Sequence, residues 1–214
     1  MNALRLADQI FLIGHDEYSG KTAVNGEILD TGLAGAVLGE LLLTRRISCS
    51  DGKVVLIDPR RWGETVTDAV ATELHQRSGR YVVRAWVEHL RPTVRESVAH
   101  RLITLGLVRP VAPRGVLARR GHPRYPGVDP TACAQPQVKL AYVLGRTDEV
   151  DLPTALLGAL VLATGLERVL TAGMSRSAVR DGLARISASL PSELAALAAG
   201  VQEAVAAIAL TVHR

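Results

Sequence analysis

Residues 27–43, with the sequence EILDTGLAGAVLGELLL, decide the fold of this chain. The large apolar residues of this segment recur at intervals of three and four positions, which is the periodicity of a helix with a buried face. Gly32, Gly35 and Gly39 share this spacing, and glycine allows the backbone of another helix to approach closely. The segment is therefore predicted to be a central, buried helix.

Short elements are predicted on both sides of this helix. Before it, the apolar residues of segment 4–13 predict an amphipathic helix that ends near Gly14. After it, residues 47–49 and 54–56 flank an Asp-Gly pair. This pair is typical of a tight β-hairpin turn, because glycine adopts a positive φ at little cost.

Further helices are predicted along the rest of the chain from apolar periodicity and from glycine and proline boundaries. Pro92 is expected to begin one of them and Gly106 to end it. The predicted helices are residues 68–76, 81–90, 94–105, 137–144, 153–162, 176–190 and 193–212.

The composition favours the same fold class. Hydrophobic residues make up 48% of the chain but include only seven aromatic ones, which favours packed helices over a β-sandwich. No internal repeat or linker divides residues 1–214, so we expect one domain. The predicted fold is mainly α, a single-domain helical bundle with one small β-hairpin and a projecting arginine-rich hairpin.

Positive charge is concentrated between residues 97 and 128, which contain six arginines and no acidic residue. Four prolines between residues 108 and 126 argue against a helix there and predict a projecting hairpin. Arginine suits phosphate because its planar fork donates two hydrogen bonds at once. The six arginines are Arg101, Arg109, Arg114, Arg119, Arg120 and Arg124.

This basic segment predicts an anionic partner, and the charge alone leaves the partner's class open. Val116 and Leu117 could enter a lipid interface while the arginines hold anionic headgroups, at roughly 1 kcal/mol per basic residue. The same apolar pair could instead pack on a partner subunit, or the run could be a solvated loop. Alternatively, residues 81–105 and the hairpin resemble a helix-turn-helix with a wing, for which DNA is the anion.

Arg91 and Arg95 add to the positive charge at the predicted start of the helix of residues 94–105. The free N–H groups and the dipole of a helix start also favour a phosphate. We therefore expect an anion-binding position beside these two arginines.

The sequence predicts no catalytic centre, cofactor or metal site. The segment 14–22 resembles a nucleotide-binding P-loop, but five residues separate Gly14 from the Gly20-Lys21 pair where the phosphate cradle requires four. An ordinary turn is predicted instead. The six histidines are scattered and lack the spacing of metal ligands. We therefore expect a protein that is not an enzyme.

The remaining features favour the cytoplasm. Cys49 and Cys133 form no Cys-x-x-Cys pair, which fits a reducing compartment. The first residues lack the pattern of a signal peptide. Apolar runs such as residues 155–165 fall short of the roughly 20 residues of a spanning helix, so any membrane contact is expected to be peripheral.

Three stretches of the first half of the chain resemble the Golgi phosphoprotein 3 family of lipid-binding proteins. They are residues 4–13 with the acidic turn through Gly20, residues 31–41 continuing to Ile47, and residues 94–108 leading into the hairpin. The resemblance implies a mainly helical, non-enzymatic domain with a projecting hairpin. It also implies peripheral binding to membranes that contain phosphatidylinositol 4-phosphate.

The resemblance also carries site positions onto this chain. The family's headgroup pocket uses a tryptophan and an arginine around the second helix, and these positions fall on Asn25 and Ala34. Of two further pocket arginines, one position falls on Arg95 and the other on Pro92, which Arg91 precedes. The resemblance thus implies Arg91 and Arg95 as headgroup ligands.

The hairpin of the family contributes to membrane contact and to self-association. By resemblance, Arg114, Val116, Leu117, Arg119, Arg120 and Arg124 form the membrane contact here. The implied partners are an anionic, phosphoinositide-containing membrane, a second copy of the chain bound through the hairpin, and the tails of membrane proteins. Nucleic acid is the less favoured partner.

Overall fold

A computed structural model describes residues 4–50, 52–77, 81–112, 123–146, 149–170 and 173–212. These residues form α-helices and one antiparallel pair of strands, so the prediction of a mainly α fold is confirmed. The elements are α1 (Leu6–Ile13), α2 (Gly26–Leu43), β1 (Ile47–Ser50), β2 (Lys53–Leu56), α3 (Thr65–Gln76), α4 (Val83–Thr104), α5 (Pro130–Leu144), α6 (Leu152–Ala163), a short 3₁₀ helix (Leu166–Val169), α7 (Arg176–Ser187) and α8 (Ser192–Val212).

α2 lies at the centre of the fold, as predicted, and 13 of its 18 residues are buried. It packs against α1, α3, α4, α6 and α8. A Cβ atom added to Gly35 would lie 2.4 Å from Val201 Cγ2 on α8, and one added to Gly39 would lie 2.7 Å from Leu156 Cδ2 on α6. Side chains at these positions would push the helices apart. The two glycines therefore set the distance between α2 and the helices α6 and α8.

Two helices contain a proline in their interior, Pro92 in α4 and Pro136 in α5. α4 is one continuous helix through Pro92, so the predicted pair of helices at residues 81–90 and 94–105 is wrong. α5 contains Pro136 and begins seven residues earlier than predicted, at Pro130. A proline removes one backbone hydrogen bond, at about 3 kcal/mol. In α4 the side chains on both sides of Pro92 share one buried apolar face, and this packing outweighs the loss.

The predicted β-hairpin is confirmed. β1 and β2 pair antiparallel, with Ile47 opposite Leu56 and Ser50 opposite Lys53. Gly52, in the connecting turn, has a φ of 69°, the left-handed region that glycine adopts at little cost. The hairpin packs against α8 and α3, and it leads into an exposed loop of residues 57–63 that precedes α3.

α8 is long and apolar enough to cross a membrane by length and composition alone, which the sequence analysis did not notice. Its segment Ser192–Thr211 has 20 residues and a mean hydropathy of 1.7. In the fold, Leu197 and Val201 are buried where α8 packs on α2, α4 and α6, while Gln202 and Glu203 are exposed. Burial of one face only is typical of a helix that packs its apolar side against the core and leaves its polar side in solvent.

The glycine contacts of α2 predict a stability difference between two Gly→Ala variants. Gly35→Ala is expected to lower the free energy of unfolding by about 1–3 kcal/mol, because the new methyl group overlaps Val201 in a packed core. Gly145→Ala is the matched control, since its nearest neighbour would be 3.7 Å away and its φ is −78°. Urea denaturation followed by circular dichroism measures both. Equal stability of the two variants would contradict the close packing of α2.

Candidate functional site

The amino-terminal end of α2 lies against α4 at Arg95. The Arg95 guanidinium is buried, donates from Nε to Asp30 Oδ1 at 2.5 Å, and also donates to the carbonyl oxygen of Gly26. Gly26 has no side chain, and a Cβ there would lie 2.8 Å from Arg95 Nη2. Arg95 therefore joins α4 to the first turn of α2. Contact between Arg95 and a headgroup stays a prediction.

Arg91 lies one helical turn before Arg95 and is more accessible. Its Nη1 atom is 3.8 Å from Glu27 Oε2, and 32% of its side chain is exposed. The helix start that faces these arginines belongs to α2, because α4 continues through Pro92. The predicted helix start at residue 94 is therefore wrong, and the helix start beside Arg91 and Arg95 is that of α2.

The pocket positions implied by the resemblance do not all reach the surface. Asn25 is exposed and caps α2, with its side chain accepting a hydrogen bond from the Glu27 N–H at 2.8 Å. Ala34 is fully buried in the core. The accessible members of this set are therefore Asn25, Pro92 and Arg91, and Asn25 and Arg91 both contact Glu27.

The two flanks of the arginine-rich segment pair antiparallel, as expected for a hairpin. Val111 and Arg124 exchange two backbone hydrogen bonds of 2.8 and 3.0 Å, and Val108 bridges Gly127. Arg109 and Arg124 are exposed and form no ion pair in the described part of the chain. The predicted contact residues Arg114, Val116, Leu117, Arg119 and Arg120 lie outside the described residues.

The turn between α1 and α2 packs on the base of this hairpin. The N–H of Gly127 donates to Glu17 O at 2.9 Å, and that of Tyr125 donates to Gly20 O at 3.1 Å. Within the turn, the N–H groups of Ser19 and Gly20 donate to Asp16. These donors are the kind that a phosphate cradle would use, and here they close an ordinary turn, as predicted.

His15 is buried below this turn. Its ring stacks on Phe11 at 4.1 Å between centroids and meets the edge of Tyr125 at 5.8 Å. Its Nδ1 atom is 2.7 Å from Phe11 O, so the neutral ring donates there. Burial lowers the pKa of His15 to about 4, and at neutral pH the ring is uncharged. His15 therefore joins α1 to the hairpin base through packing.

A depression of about 410 Å³ opens beside the same turn. His15, Lys21 and Gln137 contribute polar atoms to its lining, and Asp16 and Glu17 contribute acidic ones. Because its acids outnumber its single lysine, the depression is not an evident site for an anion.

Arg101 is neutralised by acids that are distant in sequence. It contacts Asp8 Oδ1 at 2.6 Å and Glu64 Oε1 at 2.8 Å, so its charge is offset although residues 97–128 contain no acid. Glu40 is buried in the same acidic surroundings, and burial raises its pKa to about 7. Arg101 therefore stabilises the contact between α1 and α4, while Arg109 and Arg124 supply exposed charge.

Sequence reasoning missed the acids that decide which arginines are available. Asp30 lies 65 residues from Arg95, and Asp8 lies 93 residues from Arg101. Neither acid lies near its arginine in the sequence. Pairs with such separations follow from the folded arrangement of helices, which local charge patterning does not contain.

A family model described as Golgi phosphoprotein 3 (GPP34) matches residues 6–208. The match covers nearly the whole chain, including α2, α4 and the flanks of the arginine-rich segment. No curated protein sequence matches the chain.

The two arginines beside α2 are expected to differ in their effect on stability. Arg95→Met leaves Asp30 without its buried cation and is expected to lower the free energy of unfolding by roughly 2–3 kcal/mol. Arg91→Ala removes a long, half-exposed ion pair, and a loss of about 0.5 kcal/mol or less is expected. Urea denaturation of the two variants measures this difference. A loss for Arg91→Ala as large as that for Arg95→Met would contradict the assignment.

Proposed function

The chain belongs to the Golgi phosphoprotein 3 family, and with this membership as the premise we propose that it is a peripheral, non-enzymatic protein that binds anionic phospholipid. The preferred lipid is a phosphoinositide with a phosphatidylinositol 4-phosphate-like headgroup. The observation that carries the proposal is the pair of exposed arginines, Arg109 and Arg124, at the hairpin base, which is hydrogen-bonded to the turn that leads into α2. The working location is the cytoplasmic face of a membrane.

In this proposal the headgroup lies at the amino-terminal end of α2. Arg91 is accessible there and needs to leave only a 3.8 Å contact with Glu27 to bind a phosphate. The first turn of α2 adds backbone N–H groups and the positive end of its dipole. Arg95 holds this turn in place through its bonds to Asp30 and Gly26. Asn25 takes the place of the family's tryptophan at the rim.

The arginine-rich hairpin supplies the second part of the proposed contact. Arg114, Arg119, Arg120 and Arg124 attract anionic headgroups, and Val116 and Leu117 enter the lipid interface. Each well-placed basic residue contributes roughly 1 kcal/mol near an anionic surface. Self-association through the hairpin and binding of membrane-protein tails are further proposed uses of this surface. No metal or cofactor has a part in the proposal.

The competing DNA-binding interpretation loses its structural basis. A helix-turn-helix within residues 81–105 requires a turn near Pro92, and α4 has no turn there. Arg95 and Arg101, two cations of this segment, are held by Asp30, Asp8 and Glu64. Lipid therefore remains the favoured anion.

Liposome co-sedimentation tests the proposed function. The protein is expected to sediment with phosphatidylcholine vesicles that contain phosphatidylinositol 4-phosphate, and less with phosphatidylserine vesicles of equal charge. The double variant Arg119→Glu and Arg120→Glu is expected to lose at least about tenfold in affinity, because two attractive charges become repulsive.

The matched control is the double variant Arg176→Glu and Arg180→Glu, which makes the same charge change on the exposed face of α7. Its affinity is expected to stay close to that of the unchanged protein. Equal binding to neutral and anionic vesicles would contradict the proposal, as would equal losses for the two double variants.

A further inference from the structure

The loop of residues 57–63, between β2 and α3, presents apolar side chains to solvent. Ile57 is 59% exposed and Trp62 is 52% exposed. The chain has two tryptophans, and the other, Trp86, is only 2% exposed. An exposed indole and an exposed isoleucine within one short loop favour a partner that covers them.

The loop is held in a fixed conformation by the carboxylate of Asp68. This carboxylate accepts hydrogen bonds from the N–H groups of Trp62 at 3.0 Å, Gly63 at 2.9 Å and Glu64 at 3.1 Å. It also contacts the buried Arg46 at 2.6 Å. These bonds fix the backbone at Trp62, and the Arg46 guanidinium carbon lies over the indole, 5.3 Å from its centroid. The indole therefore has little conformational entropy left to lose on binding.

The surface around Trp62 is basic. Arg45, Arg60 and Arg61 are exposed, and Asp58 is occupied by Arg60, whose Nη2 donates to it at 2.7 Å. Arg45 precedes Arg46, and the carbonyl of Arg46 accepts the N–H of Ile57 at 2.8 Å, which places Arg45 close to this loop. After the Asp58–Arg60 pair is discounted, Arg45 and Arg61 remain as exposed positive charges.

The loop is joined to the helix from which the arginine-rich hairpin begins. Glu64, at the start of α3, accepts a hydrogen bond of 2.8 Å from Arg101. Arg101 lies in the last turn of α4, and Val108, a few residues later, begins the paired base of the hairpin. The loop and the hairpin base are therefore attached to the same end of α4.

We propose that residues 57–63 form a second contact with the anionic lipid surface, in which Trp62 and Ile57 enter the interfacial region and Arg45 and Arg61 bind lipid phosphates. The proposal rests on the proposed lipid-binding function and adds a site that the arginine-rich hairpin does not include. Tryptophan prefers the membrane interface because its ring is apolar and its N–H is polar. Two positive charges beside it match anionic lipid.

Tryptophan fluorescence tests this contact because the two tryptophans report separately. Trp86 is buried in the core, whereas Trp62 faces solvent and should respond to lipid. On adding vesicles of phosphatidylcholine and phosphatidylserine, the emission is expected to shift to shorter wavelength and to be quenched by brominated lipid. In Trp62→Phe, both changes are expected to disappear while co-sedimentation persists.

Charge reversal provides a second measurement. Arg61→Glu is expected to lower vesicle affinity by roughly fivefold or more, since one attractive charge becomes repulsive. Arg180→Glu on α7 is the matched control, with no expected loss. Vesicle binding without a change in Trp62 emission would overturn this proposal and leave the lipid-binding function intact. Absence of vesicle binding by the unchanged protein would overturn both.

Discussion

The close approach of α2 to α6 and α8 is the contact on which the rest of the structure depends. Gly35 and Gly39 leave no room for side chains between these helices, since an added Cβ atom would lie 2.4 or 2.7 Å from its neighbour. This approach lets α2 sit at the centre, with α1, α3 and α4 packed on it as well. It also fixes where the amino-terminal end of α2 reaches the surface, beside Arg91 and Arg95.

Local sequence signals predicted the elements whose conformation local chemistry decides. The spacing of apolar residues identified α2, and the Asp-Gly pair identified the hairpin of β1 and β2. Pro92 misled the prediction because the cost of a proline is local, whereas the packing that offsets it comes from other helices. α4 is therefore one helix where two were predicted, and α5 is longer than the predicted helix of residues 137–144.

In the candidate site, too, the local sequence predicted some features, and contacts between distant segments decided the others. Charge clustering identified Arg109 and Arg124, which are exposed at the hairpin base. It also selected Arg101, which the fold neutralises with Asp8 and Glu64. The sequence shows how many arginines a segment contains. The packing of the helices decides which of these arginines remain unpaired and accessible. The basic loop around Trp62 escaped notice because its positive charge comes from two separate segments.

The central claim is that the amino-terminal end of α2 and the arginine-rich hairpin face an anionic membrane together. Hydrogen–deuterium exchange of the full chain, with and without phosphoinositide vesicles, tests it most directly. The account predicts slower exchange in peptides covering residues 15–27 and 107–127, with no change in α7. Vesicle-bound protein whose exchange in both regions equals that of the free protein, or is slowed only in α7, would contradict the account.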